Sequence, residues 1–202
     1  MPANEPFHTL LLGLVLVVFP VMFYHRLRSH TRERLDRMQE GAVMLVALRL
    51  IGVATLIAVT LYLVNPTILA WAAAPFPDWL RSIGILAGFA GGILGIWTVR
   101  TLGPNLTDTV VTRQHHTLVL AGPYQWVRHP FYVSIALLFA GFALGGANWL
   151  ILAGEVLVMT LLVLRTDREE EQLVARFGDA YRDYMQHTSR FVPPLRSPWP
   201  RS

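Results

Sequence analysis

Cysteine is absent from the 202 residues, and so is lysine, because every basic residue other than histidine is arginine. Without cysteine the chain has no disulfide, no thiolate metal site and no cysteine-ligated iron–sulfur cluster. Charged residues make up only 15% of the chain, against about 25% in a soluble domain. Hydrophobic residues make up 53%, and the mean hydropathy is +0.44. The composition therefore predicts an integral membrane protein.

Two common functional motifs are missing as well. The chain has no H-E-x-x-H, and the histidine pair at 115–116 is weak ground for a metal, so we expect no metal site. The glycines of the third apolar run follow no predicted strand and lack the G-x-G-x-x-G order of a nucleotide-binding loop. Their spacing of three or four instead predicts close helix packing; they are Gly84, Gly88, Gly91, Gly92 and Gly95.

Five apolar runs are long enough, or nearly so, to cross a membrane as helices. The runs are Phe7–Tyr24, Ala42–Val64, Ser82–Val99, Phe131–Ala147 and Trp149–Leu164. Turn-forming Gly145, Gly146 and Asn148 separate the last two, which predicts a tight helical hairpin. The first run lacks a basic start and a small-residue cleavage site, so we expect a retained helix rather than a cleaved signal. The predicted fold class is all-α, a polytopic membrane helix bundle.

The arginines indicate how the bundle is oriented. The net charge of +4 could suggest nucleic acid, but arginines cluster between apolar runs, which favours membrane orientation and anionic lipid. The arginine-rich stretch 25–40 predicts a cytoplasmic loop, so we expect the amino terminus outside and the carboxyl terminus in the cytoplasm. The membrane would be the inner membrane of a bacterium or the endoplasmic reticulum of a eukaryote. We divide the chain into an N-terminal three-helix region, 1–99, and a core with the site, 100–202.

Two charged residues fall within predicted membrane spans. Arg49 lies in the second run and Glu155 in the fifth. An intramembrane charge either reaches the interface or pairs inside the protein, and it often marks function. The sequence leaves both alternatives open: Arg49 snorkels, or it pairs with Glu155.

The stretch Gly122–Tyr132, GPYQWVRHPFY, directly precedes the fourth run. Pro130 fixes its own φ and disfavours a helical His129, so we expect His129 to be the last non-helical residue and Pro130 the first helical one. A helix start flanked by Arg128 and His129 can hold a carboxylate or phosphate. The alternative is that these residues only anchor the helix at the lipid headgroups.

The segment Arg165–Arg190 has an acidic start and an apolar stripe at helical spacing, with Gly178 predicted to break the helix. The hairpin returns this segment to the side of Gly122–Tyr132, which predicts a site between the two at the membrane surface. The alternatives are a solvated helix start for the acidic run and simple packing for Tyr181 and Tyr184.

The pattern HTLVLAGPYQWVRHPFY, then a hairpin, then R-x-x-x-E-E-x-x-L-x-x-x-F-G-x-x-Y-x-x-Y and RFVP, resembles the isoprenylcysteine carboxyl methyltransferase family and the related phospholipid methyltransferases. The resemblance covers about Leu102 to Pro193. It implies methyl transfer from S-adenosylmethionine, bound in a cytoplasm-facing pocket beneath a lipid-accessible tunnel. It also implies catalytic positions at Glu170 and Arg165. The cofactor-binding positions would be His116, Gly122, Pro123, Tyr124, Arg128, His129, Tyr132, Glu169, Glu170, Tyr181 and Tyr184.

The resemblance leaves the methyl acceptor open. An isoprenylcysteine carboxylate is ionised at neutral pH and needs no base. A phospholipid amine or a small thiol needs a base, for which Glu170 and His129 are candidates. After Leu102 and Gly103 the chain lacks an aromatic that the family often has, which affects the floor of the acceptor pocket.

Two other classes of protein compete with a methyltransferase. One is an NADPH-dependent oxidoreductase like the sterol reductases, and the other is a membrane protein that kept the fold without activity. The expected partners are a lipophilic or prenylated substrate and membrane lipids, with no nucleic acid. The sequence does not fix the oligomeric state.

Overall fold

The computed structural model describes residues 5–28, 42–103 and 118–194, and this part of the chain folds as helices. The α-helices are α1 (Glu5–Arg28), α2 (Ala42–Val64), α3 (Asp78–Leu102), α4 (Pro130–Gly145), α5 (Trp149–Phe177) and α6 (Asp179–His187). Two short 3₁₀ helices cover Pro66–Ala72 and Gly122–Gln125. The described ranges contain isolated bridges but no strand. The predicted all-α fold is confirmed.

Four helices, α1, α2, α3 and α5, are long and apolar enough to cross a membrane. The fifth predicted span, α4, is apolar but has only 16 residues, or about 24 Å at the helical rise. The chain is therefore an integral, multi-pass membrane protein.

Helix α5 is longer than its apolar part. Its 29 residues extend about 43 Å, beyond the roughly 30 Å of membrane hydrocarbon. The apolar part ends at Leu164, and we take the part from Arg165 on to project past the membrane. The apolar pattern predicts a span that ends at Leu164, followed by a separate segment from Arg165 on. The helix continues instead, because neither glycine nor proline interrupts residues 155–177.

The glycines of α3 make the close helix contact that the sequence predicts, and the structure identifies the partner as α4. A Cβ added at Gly91 would lie 2.5 Å from the backbone nitrogen of Leu138, and one at Gly84 would lie 2.6 Å from the Cβ of Leu144. A Cβ added at Gly141 of α4 would lie 2.6 Å from the Cα of Gly88. Only glycine permits this approach. The contact fixes α4, and therefore the residues at its start, against α3.

The turn between α4 and α5 confirms the predicted hairpin. Asn148 caps α5 by accepting hydrogen bonds from the backbone N–H groups of Leu150 and Ile151. Its amide group donates to the carbonyl of Leu69 at 3.3 Å. The turn therefore joins the hairpin to the 3₁₀ helix that follows α2.

Arg81, at the start of α3, is a buried arginine that the sequence does not predict. The helix begins at Asp78, four residues before the predicted span, because Pro77 fixes an extended backbone there and Asp78 favours the first turn. Arg81 is consequently helical and only 4% exposed. Its Nε donates to the carbonyl of Gly145 at 3.2 Å, and its guanidinium lies 3.9 Å from the ring centroid of Phe7.

The two charged residues of the predicted membrane spans, Arg49 and Glu155, differ in exposure and do not pair. Arg49 is exposed on α2, as expected for a side chain that snorkels, and Glu155 is partly buried on α5. No ion pair joins these two described residues.

Candidate active site

The chain before α4 is held against the chain after α6 by backbone hydrogen bonds. The amide of Arg128 donates to the carbonyl of Ser189 at 2.9 Å, and that of His129 donates to the carbonyl of Arg190 at 3.0 Å. Val127 and Ser189 form a parallel bridge. The predicted meeting of the basic, aromatic segment with the segment after the hairpin is thus confirmed for its described residues.

His129 and Pro130 adopt the positions that the sequence predicts. His129 has φ −121° and ψ 57°, outside the helical region, and Pro130 opens α4. The carbonyl of His129 accepts hydrogen bonds from the amides of Tyr132 and Val133. The side chain of His129 therefore stands at the start of α4, only 5% exposed.

Glu170 is the centre of the charged site. Its Oε1 accepts from Nε of Arg128 at 2.8 Å and lies 3.2 Å from Nε2 of His129. Its Oε2 accepts from Nε and Nη2 of Arg190 at 3.0 and 2.7 Å. Glu170 is only 3% exposed, so both oxygens are buried among donors. We call Glu170, Arg128, His129 and Arg190 the ion cluster.

The surroundings of Glu170 determine its charge. Burial alone would raise the pKa of this carboxyl, but hydrogen bonds from His129, Arg128 and Arg190 outweigh burial and lower the pKa to about 2. Glu170 is therefore ionised at neutral pH. A carboxylate this acidic is suited to holding cations in place rather than to accepting a proton.

Glu169, the neighbouring carboxylate, makes a different contact. The hydroxyl of Tyr132 donates to its Oε2 at 2.6 Å. The ring of Tyr132 stacks on that of His129, with centroids 5.4 Å apart and an angle of 15° between the planes. Glu169 is only partly buried, and the bond to Tyr132 uses one of its two oxygens. The site thus presents a carboxylate held by an aromatic hydroxyl.

The predicted tyrosines support the site from α6. Tyr181 and Tyr184 are each 2% exposed, and their rings meet edge to face at 5.8 Å. The hydroxyl of Tyr184 donates to the carbonyl of Tyr124 at 2.5 Å. Burial raises the pKa of all three tyrosines, so their hydroxyls are neutral and able to donate.

Gly122 and Pro123 place the 3₁₀ helix against the end of α3. Gly122 has φ +60°, which favours glycine. A Cβ there would also lie 2.6 Å from Oγ1 of Thr101. Pro123 is buried at the first turn. Both residues therefore shape the segment, and their side chains bring no charge to the site.

Two predicted site residues remain, Arg165 and His116. Arg165 is 7% exposed and lies one turn before Glu169 on the same face of α5. His116 lies outside the described residues.

Two residues of the site, Arg190 and Thr188, are not among those predicted from the sequence. Arg190 binds Glu170, and its Nη2 also lies 2.6 Å from Oδ1 of Asp167. It stands in the RFVP pattern, which is the signal that could have identified it. Thr188 is 2% exposed, and its Oγ1 has no hydrogen-bond partner within the described ranges.

The fold and the site together define a class: a multi-pass membrane protein with a charged, aromatic site at one end of a helical hairpin. Residues 84–175 match the model of the isoprenylcysteine carboxyl methyltransferase family. This match extends into α3, further toward the amino terminus than the sequence pattern suggests. The predicted resemblance to that family is confirmed.

Curated relatives point to the same family. A protein-S-isoprenylcysteine O-methyltransferase of Xenopus laevis is 31% identical over 126 residues, which cover 58% of this chain and 44% of the relative. The protein-S-isoprenylcysteine O-methyltransferase B of Arabidopsis thaliana is 30% identical over 118 residues, covering 57% of this chain and 60% of the relative. The chain thus spans about half the length of the curated relatives it matches.

A solved structure also matches, that of the eukaryotic intramembrane Ras methyltransferase. The TM-score is 0.51 with 25% identity, over 72% of this chain and 51% of that one. The similarity therefore extends beyond the residues that match the family model.

Proposed function

We propose that the chain is an integral-membrane methyltransferase that transfers a methyl group from S-adenosylmethionine to a lipophilic acceptor, the carboxylate of an isoprenylcysteine-like substrate. The ion cluster carries this proposal. It joins the two halves of the family pattern, Arg128 and His129 before the hairpin and Glu170 after it, through direct contacts. The relatives at about 30% identity, named as isoprenylcysteine O-methyltransferases, support the choice of acceptor.

The residues at the site fit S-adenosylmethionine. That donor carries an ammonium group, ribose hydroxyls and an adenine ring. Glu169 offers a partly buried carboxylate for an ammonium or a hydroxyl, and Tyr132 fixes its position. The hydroxyl of Thr188, buried without a partner among the described residues, offers another polar contact. Exposed Trp126 offers an aromatic face. We assign Tyr124, Tyr181 and Tyr184 to shaping this pocket.

The proposed reaction requires the protein to align the methyl donor with the acceptor, and it requires no proton transfer. S-adenosylmethionine supplies an electrophilic methyl group when bound. Transfer would break the bond between the methyl carbon and the sulfonium sulfur, which keeps the electron pair and leaves as the thioether of S-adenosylhomocysteine. The methyl carbon would bond to a carboxylate oxygen of the acceptor, so no proton moves. Glu170 keeps Arg128, His129 and Arg190 in place, and the packed tyrosines of α6 exclude water beside them. Orientation and exclusion of water would then provide much of the rate.

The proposal includes an orientation in the membrane. We place the ion cluster on the cytoplasmic side and the amino terminus outside, since the arginine-rich stretch 25–40 favours the cytoplasm. A soluble donor could then reach the site from the cytosol, while the acceptor enters from the lipid. We also propose that residues 1–99 support a core formed by residues 100–202.

The test is methyl transfer by purified protein in lipid nanodiscs. We would supply S-adenosylmethionine with a labelled methyl group and three acceptors: N-acetyl-farnesylcysteine, phosphatidylethanolamine and an alkyl thiol. We expect label in the farnesylcysteine ester. Label in the phospholipid or the thiol instead would contradict the proposed acceptor. Folded protein that labels none of them, yet oxidises NADPH with a sterol, would contradict the whole proposal.

A further inference from the structure

A cavity of about 240 Å³ lies between α2, α4 and α5 in the membrane-crossing part of the bundle. Its lining residues are apolar apart from one that carries a carboxyl group. The lining residues that the argument uses are Gly52 of α2, Ile135 of α4, and Glu155 and Leu162 of α5. An apolar cavity of this kind suits a hydrocarbon chain.

The cavity approaches the charged site from the membrane. Ile135 lies three residues after Tyr132, which is less than one turn of α4. Leu162 lies seven residues before Glu169 on α5, about 10 Å at the helical rise. Glu155 lies seven residues further away, so that the carboxyl is roughly 20 Å from Glu169 along the helix. The cavity therefore lies where the apolar chain of an acceptor bound at the site would extend.

Glu155 is not satisfied by the protein around it. Its Oε2 is buried and makes no hydrogen bond within the described part of the chain. Arg49, the cation that the sequence suggests as its partner, is exposed on α2 and forms no ion pair with it. A buried polar oxygen without a partner is unfavourable. A ligand that brings a hydrogen-bond donor to this depth would remove that penalty.

We propose that Glu155 is a specificity-determining residue, which selects acceptors with a hydroxyl or amine donor on the far part of their apolar chain. This inference rests on the proposed function, since it names a feature of the acceptor. The two ends of such an acceptor contact different parts of the protein. The reacting carboxylate lies by the ion cluster, and the chain fills the cavity. The distal donor meets the carboxyl group of Glu155, which lines the cavity.

The size of the preference follows from the hydrogen bond. A hydrogen bond to a carboxyl group that would otherwise stay unpaired is typically worth about tenfold to hundredfold in affinity. A site built for a polar group also disfavours the analogue that lacks it, because the protein group then remains unpaired. We therefore expect at least about a tenfold preference for the hydroxylated chain.

The test compares two acceptors that differ only in one hydroxyl. N-acetyl-farnesylcysteine and its analogue hydroxylated at the far end of the chain are methylated by wild type, Glu155→Leu and Glu155→Gln. We expect wild type to favour the hydroxylated acceptor in kcat/KM and Glu155→Leu to lose the preference. Glu155→Gln should keep part of it, because its amide oxygen still accepts. Glu171→Gln, which neutralises an exposed carboxylate of the same helix, should behave as wild type.

A binding measurement keeps this inference separate from the proposed function. The methyl esters of N-acetyl-farnesylcysteine and of its analogue hydroxylated at the far end of the chain are compared for the thermal stabilisation that each gives to wild type and Glu155→Leu. An advantage for the hydroxylated ester that disappears in Glu155→Leu supports the role of Glu155, even if no methyl transfer is found. Equal effects of the two ligands on wild type, or an unchanged kcat/KM ratio in Glu155→Leu, would overturn it.

Discussion

At the scale of the residue, Glu170 connects segments that are distant in the chain. It accepts from Arg128 and His129 before the hairpin and from Arg190 after α6. Each partner stabilises the carboxylate, and removing the carboxylate would leave buried positive charge behind. The stability of the site therefore depends on the ionisation of this one side chain.

Glu170→Gln should lower stability at neutral pH and flatten its dependence on pH. The folded-state pKa is lowered from 4.5 to about 2, so the ionised form stabilises the fold. This contribution is present above about pH 4.5 and is lost as the pH falls toward 2, and it amounts to about 3 kcal/mol. Thermal unfolding in detergent from neutral pH to about pH 3 measures it. Glu171→Gln is the matched control, and equal pH dependence in wild type and Glu170→Gln would refute the assignment.

Tyr132→Phe should weaken binding of S-adenosylmethionine with little change in fold. The substitution removes the hydrogen bond to Glu169 but keeps the ring that stacks on His129. A hydrogen bond to a charged group predicts a loss of roughly tenfold in affinity. Calorimetry on the purified protein measures the change. Tyr24→Phe, at an exposed tyrosine of α1, is the control and should bind S-adenosylmethionine as wild type does. If Tyr132→Phe binds S-adenosylmethionine with the affinity of wild type, Tyr132 does not position Glu169 for the donor.

At the scale of the element, the bundle depends on how closely α3 approaches α4. Gly84, Gly88 and Gly91 face α4 at backbone distance. Because α4 begins at the ion cluster, any shift of this helix also moves His129 and Tyr132. Glycine packing within the membrane therefore affects the geometry of a site at its surface.

Gly91→Val should destabilise the protein by about 1 to 3 kcal/mol. Its Cβ would lie 2.5 Å from a backbone atom of α4, which cannot move aside as a flexible side chain could. Gly13→Val is the control, since a Cβ at Gly13 meets nothing within 4 Å. The free energy of unfolding in mixed micelles distinguishes the two. Equal stability of both variants would contradict the close α3–α4 contact.

The sequence predicts the type of each long helix better than its ends. Apolar runs predict the spans, and the glycine spacing predicts a close helix contact of α3 without identifying α4 as the partner. The glycine and asparagine residues before Trp149 predict the hairpin. Apolarity alone did not predict that α5 continues through its charged part, since helix propensity rather than hydropathy decides that. The early start of α3, which buries Arg81, depends on Pro77 and on contacts with α4 and α1.

At the scale of the whole molecule, the hairpin brings the two halves of the site together. Chain topology alone predicts this meeting, and most of the predicted site residues lie in it. Arg190 could not be predicted in the same way, because it reaches Glu170 only after Gly178, at φ +58°, turns the chain into α6. The division at residue 99, the location of His116 and the cofactor roles of the site residues stay predictions.

Filling the cavity should impair use of the acceptor but not of the donor. Gly52→Leu places a side chain where a Cβ meets nothing within 4 Å, at the wall of the cavity. We expect KM for farnesylcysteine to rise roughly tenfold, as expected for a chain excluded from an apolar pocket, while affinity for S-adenosylmethionine stays unchanged. Gly13→Leu is the control. A Gly52→Leu variant with the KM of wild type would show that the acceptor lies elsewhere.

The most direct test of the central claim, that a methyl donor binds beside the ion cluster, is equilibrium binding of S-adenosylmethionine to purified protein. Wild type, Glu169→Gln and Glu171→Gln would be compared by calorimetry in detergent. The two substitutions remove neighbouring carboxylates of α5, of which only Glu169 contacts Tyr132. The account predicts binding by wild type and Glu171→Gln, and at least about tenfold weaker binding by Glu169→Gln. Folded wild type that binds no S-adenosylmethionine, or three proteins with equal affinity, would contradict it.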